Sequence, residues 1–102
     1  MAWLQSHQTL ARHPKTLRAA KLLGVSTPTL IGHLHLLWWW CLDYADTGDL
    51  AGLGSDEIAR TALWDGDPEA FVDALLNAGG LNKAGFLEHS ANGHLQVHDW
   101  DE

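Results

Sequence analysis

Of the residues able to do chemistry, this 102-residue chain holds seven histidines and a single cysteine. Catalysis or metal binding needs such groups to converge, so their spacing decides what they can do. His33 and His35 stand two apart on a stretch with helical periodicity, which points their side chains apart. His94 and His98 alternate onto one face of an extended stretch, with His89 across from them. A zinc site needs cysteine or histidine ligands at set spacings, and neither a cysteine pair nor HExxH occurs. The histidines therefore read as surface groups, and no metal or cofactor is expected. Cys41 lies within the most apolar run, residues 36–42, where burial keeps a thiol unreactive. Without a Ser–His–acid constellation or a glycine-rich phosphate loop, the chain is expected to be non-catalytic.

Charge is distributed unevenly. Residues 1–42 carry Arg12, Lys15, Arg18 and Lys21 and no acid; residues 43–102 carry Arg60, Lys83 and all 13 acids. The halves hold +4 and −11, which together give the net −7. Lys15, Arg18 and Lys21 recur every three residues and share one flank of a helix, a spacing able to grip phosphate without reading sequence. A polyanion would find its remaining cations and donors at Arg60, Asn77, Lys83, His89 and Asn92. A separate signal is the run Trp38-Trp39-Trp40. At 100° per residue Trp38 faces the core, whereas Trp39 projects from the far side with His35, Leu36, Trp40 and Asp43 around it. An indole in that position marks an interface, for which a homodimer is the simplest partner.

The elements that position these residues follow from caps, breakers and periodicity. Trp3-Leu4-Gln5-Ser6 reads as a short edge strand. His13-Pro14-Lys15 opens a helix that stops at Gly24, with Leu17, Ala20 and Leu23 as its apolar side. Ser26-Thr27-Pro28 caps a long helix from Thr29 to about Ala45. Its core stripe is Leu30, Leu34, Leu37, Cys41 and Tyr44, widened by Ile31, Trp38 and Leu42. Leu50-Ala51-Gly52-Leu53 reads as a brief strand. Ser55-Asp56-Glu57 caps a further helix, Trp64-Asp65-Gly66 breaks it, and Asp67-Pro68 starts the next, which Gly79-Gly80 ends. Phe71, Val72, Leu75 and Leu76 mark that helix's buried face, leaving Glu69, Ala70, Asp73 and Asn77 outward. Residues 85–89 and 94–100 flank Ser90-Ala91-Asn92-Gly93 as a hairpin.

Helix, turn, helix and hairpin in that order predict a mostly α fold with a small β-hairpin, a winged helix-turn-helix. One domain covers 1–102, with the helix-turn-helix at about 55–79 and the wing at about 85–100. Leu34, Leu37, Trp38, Cys41, Ile58, Phe71, Leu75, Leu76 and Leu81 are expected to share one core. A lone cysteine, no signal-like apolar segment in residues 3–9 and no membrane-length apolar run point to a soluble cytoplasmic protein.

The chain resembles the N-terminal winged-helix domain of phage and prophage replication proteins, the replisome organisers and DnaD-like initiators. Trp3-Leu4 with His13-Pro14-Lys15 carries the resemblance, as does Leu36-Leu37-Trp38 leading into Asp46-Thr47-Gly48-Asp49-Leu50. So do the run from Leu75 to Leu81 and the closing Leu95-Gln96-Val97-His98-Asp99-Trp100. The resemblance implies binding to double-stranded origin DNA, self-association and contact with other replication proteins. It also implies that these residues are one domain of a longer protein. The departure from that pattern is the acidic outward face of the second helix, where DNA readers ordinarily place Arg, Lys, Asn or Gln. A protein–protein module on the same scaffold, without DNA contact, is the alternative.

Overall fold

Proline and small polar caps set where the helices begin. A computed structural model describes residues 8–45, 47–50, 52–80, 85–90 and 93–98, with the backbone alone for residues 8 and 9. A short 3₁₀ helix, Gln8–Arg12, leads into α1, Pro14–Leu23, whose first turn is capped by His13 Nδ1 accepting from the Lys15 N–H at 3.1 Å. Gly24, at φ 69, closes α1 in the left-handed conformation that glycine adopts at least cost. Ser26 then caps α2, Thr27–Tyr44, which starts two residues earlier than Thr29.

Two further helices follow, α3, Ser55–Thr61, and α4, Pro68–Asn77. The cap of α3 is Gly54, not Ser55: the Glu57 carboxylate reaches back to accept from the Gly54 N–H at 3.2 Å. Asp67 caps α4 through Oδ1, with Pro68 at the first helical position. A two-stranded antiparallel hairpin completes the described chain, β1, Leu87–His89, against β2, Leu95–Val97, in the register Leu87–Val97, Glu88–Gln96 and His89–Leu95. The fold is thus mostly helical with one small antiparallel sheet.

Pairing also reaches β2 from its other side. The Leu50 N–H donates to Leu95 O at 2.8 Å, the Val97 N–H donates to Gly48 O at 2.9 Å, and Asp49 bridges Gln96. This short extended piece lies at residues 48–50, upstream of the strand expected at 50–53. Its position between α2 and α3 links the helices to the hairpin.

The core forms around α2. Leu30, Leu34, Leu37, Trp38 and Cys41 meet Ile58 and Ala59 of α3, Phe71, Val72 and Leu75 of α4, Leu50, and Leu87 and Val97 of the sheet. Each large side chain among them contributes about 1.5–3 kcal/mol by leaving water. The stripe is narrower at its end than periodicity implied. Tyr44 is 74% exposed and Leu42 37%, because α2 outruns the elements that pack on it. Leu76 is half-buried at the edge of the core. Leu81 and Trp3-Leu4-Gln5-Ser6 lie outside the described residues.

α1 is rotated from its expected setting. It buries Thr16, Ala19 and Ala20 and leaves Leu17 and Leu22 in solvent, while Leu23 is half-buried. Small side chains let α1 lie close against α2 and α4, with which it packs. Among the described residues, no helix is long and apolar enough to cross a membrane. The Thr16 hydroxyl is fully buried and has no hydrogen-bond partner among the described residues. A buried unmatched polar group costs about 1–3 kcal/mol. Thr16→Val, of nearly equal shape, is therefore expected to raise stability by about 1 kcal/mol in urea unfolding; a loss of stability would contradict this packing.

Candidate functional site

The basic flank of α1 was the leading candidate surface, and the fold divides it. Lys15 is half-buried: its ammonium donates to Gly85 O at 3.2 Å and lies 6.0 Å from the centre of the Phe86 ring. Arg18 donates from Nη1 to Ala78 O at 2.9 Å, just beyond the C-terminus of α4. Both cations thus hold the ends of the α4–β1 connection against α1, and the positive charge of Arg18 suits the carbonyl end of a helix.

The connection needs glycine where they grip it. A Cβ on Gly85 would sit 2.0 Å from Leu75 O, because the Phe86 N–H donates to that same carbonyl at 2.8 Å. Gly80 takes φ 87, and a Cβ there would meet the Arg18 guanidinium at 2.9 Å. Lys15 and Arg18 are therefore engaged within the fold, each through a backbone carbonyl.

Arg12 and Lys21 are exposed at either end of the same segment. His89, on β1, is exposed as well. Asn77 is exposed on α4 with its amide donating to Asp73 O at 2.7 Å, and the face around it holds Glu69, Ala70 and Asp73. Arg60 lies apart from that flank, in grooves with Leu63 and with Asp56 and Glu57 of its own helix. Lys83 and Asn92 lie outside the described residues.

The histidines divide in the same way. The His33 Nδ1–H donates to Ala62 O at 2.7 Å, with the ring edge-on to Trp64 at 5.2 Å and to Phe71 at 6.2 Å. It ties α2 to the turn between α3 and α4, where Trp64 stacks on Phe71 at 5.3 Å. The His35 Nδ1–H donates to Ile31 O within α2.

His94 and His98 flank β2 outside its three residues, which differs from their expected shared strand face. The His98 Nδ1–H and the Gln96 amide each donate to Glu88 at 2.7 Å. Desolvation works against the Glu88 charge, but those two bonds, with Coulombic attraction to His98 and Lys15, outweigh it and hold its carboxyl below the usual value. Among the described residues, no group of three or more His, Cys, Asp or Glu could hold a metal ion. Burial pushes the Cys41 thiol up to about 12, so it stays neutral and inert near pH 7.

On the far side of α2, Trp39 is 51% exposed, with the His35 ring edge-on to it at 5.7 Å. Asp43 is exposed, and His35, Leu36 and Trp40 are half-buried. Trp40 leans instead towards Tyr44, at 5.4 Å between rings. The chain thus presents two kinds of surface: scattered cations and an apolar aromatic flank of α2.

The sequence reading missed the carbonyl partners of Lys15 and Arg18, and the regular three-residue spacing gave no sign of them. No family model, curated protein or solved structure matches this chain.

Arg18→Ala is expected to lower stability by about 1 kcal/mol or more, through loss of a charge-assisted bond to Ala78 O. Lys21→Ala, at an exposed position, should stay within about 0.5 kcal/mol of the parent. Equal effects in chemical denaturation would remove the distinction between the two cations.

Proposed function

We propose that this chain is a non-catalytic winged helix-turn-helix domain, of the kind that opens phage and prophage replication initiators. In this reading it binds double-stranded DNA and associates with a second copy of itself. The observation that carries the reading is the pairing of residues 48–50 with β2. It sets a short bridged piece between α2 and α3, and the order helix, bridged piece, helix, helix, hairpin supports the winged-helix reading.

The DNA grip falls to exposed Arg12 and Lys21 and to His89 on β1, with Lys83 and Asn92, which lie outside the described residues, as further candidates. Such contacts grip phosphate and do not read bases. The outward face of α4, with Glu69 and Asp73, repels phosphate and stays off the duplex. Self-association falls to the exposed face of α2 around Trp39, because burying an indole contributes on the order of 2–3 kcal/mol and two-fold pairing is the commonest way to bury one between copies.

A second reading is favoured by two observations. The acid on α4 and the internal use of Lys15 and Arg18 also suit a protein–protein module that never meets DNA. A duplex-DNA titration at two salt concentrations separates the two. The first reading predicts binding that falls steeply with salt. It also predicts that Arg12→Glu with Lys21→Glu weakens binding to every sequence and flattens the salt slope by about 2. A folded protein without affinity at the lower salt would leave the module reading. Solution mass measured on the same samples tests self-association: a wild type already monomeric at high concentration would refute it.

A further inference from the structure

Leu63 occupies a backbone position that ordinarily belongs to glycine. At the end of α3 the Leu63 N–H donates to Arg60 O at 3.0 Å and the Trp64 N–H donates to Ala59 O at 2.9 Å. This closure requires a left-handed residue at its centre, usually glycine because a Cβ is penalised there. Leu63 takes that conformation at φ 56, the one non-glycine among the described residues with a positive φ, and its side chain is 67% exposed. A steric cost and an exposed apolar side chain thus fall on one residue, and burial within the chain compensates neither.

Leu63 stands with Arg60 on a ridge between two grooves. One groove is lined by Trp40, Leu53 and Thr61, the other by Ala59, Trp64 and Pro68. We propose that this ridge docks a basic amphipathic segment of a partner protein, with Leu63 seated among that segment's apolar side chains. Charge selects the occupant. Along the two grooves Asp56, Glu57 and Asp65 are exposed, with Arg60 as the single cation from residue 55 to residue 69. A nucleic-acid backbone would bring like charge to this surface, and two-fold pairing of this face with its own copy would set the same acids against each other. The proposal does not rest on the DNA reading, since it concerns a different face.

The test is an NMR titration of the domain with two synthetic amphipathic helical peptides, one of leucine and lysine, the other of leucine and glutamate. The leucine–lysine peptide should bind and perturb Arg60, Leu63 and Trp64 most, and the leucine–glutamate peptide should not bind. Leu63→Gly should weaken binding about tenfold or more, as truncation of a central contact does. Its melting temperature should be no lower than the parent's, because glycine suits the backbone there. Leu63→Asn, which also tolerates that conformation but is polar, should lose binding in the same way. Unchanged affinity in both variants, perturbations centred elsewhere, displacement of the peptide by duplex DNA, or preference for the leucine–glutamate peptide would each overturn the proposal.

Discussion

Burial of one face of α2 constrains everything else in this fold. Leu30, Leu34, Leu37, Trp38 and Cys41 are all within 3% of full burial, and apolar side chains from α1, α3, α4 and the sheet join them in one core. Such a helix can satisfy only one side with the elements of a small domain. Its other side must face water or a partner, which is why Trp39 remains exposed while Trp38 does not. The same constraint places α3 and α4. Phe71 and Leu75 seat α4 in the core, and His33 of α2 holds the Ala62 carbonyl and packs edge-on against Trp64 and Phe71. The turn between α3 and α4 is therefore fixed by α2 as much as by its own residues.

The hairpin depends on this frame through two sets of contacts. On one side, residues 48–50 pair with β2. On the other, the backbone at Gly85 and Phe86 presses onto the C-terminal end of α4, with Lys15 and Arg18 bonded at Gly85 and Ala78. A two-stranded hairpin alone is marginal in water. Here it gains a third short partner, a buried Leu87 and Val97, and a cation at each end of its approach. The cost is functional: two of the four cations in residues 1–42 are committed to carbonyl oxygens, which thins the positive surface available to a polyanion.

Local signals were legible and distant ones were not. The caps at His13, Ser26 and Asp67 and the stops at Gly24 and Gly79-Gly80 could be placed because each acts within a few residues. The hairpin strands could be placed as well, from alternation around Ser90 to Gly93. On α1 the expected side of Leu17, Ala20 and Leu23 holds for Ala20, whereas Thr16 and Ala19 pack in place of Leu17, because small side chains allow the closer approach. Tyr44 was misplaced because periodicity says nothing about where a helix outruns its neighbours. Lys15 and Arg18 find their partners 70 and 60 residues away, beyond any spacing rule. Leu63 gave no signal at all, since its importance lies in a φ angle that its residue type disfavours.

The account stands on the hairpin and the helices forming one unit through residues 48–50. Amide hydrogen exchange read residue by residue tests that link most directly, at the N–H groups of Leu50 and Val97 that bond across it. The account predicts protection of both amides approaching that of Leu34 and Leu37 in α2, because all would open only with the domain. Fast exchange at Leu50 and Val97 while α2 stays protected would contradict it.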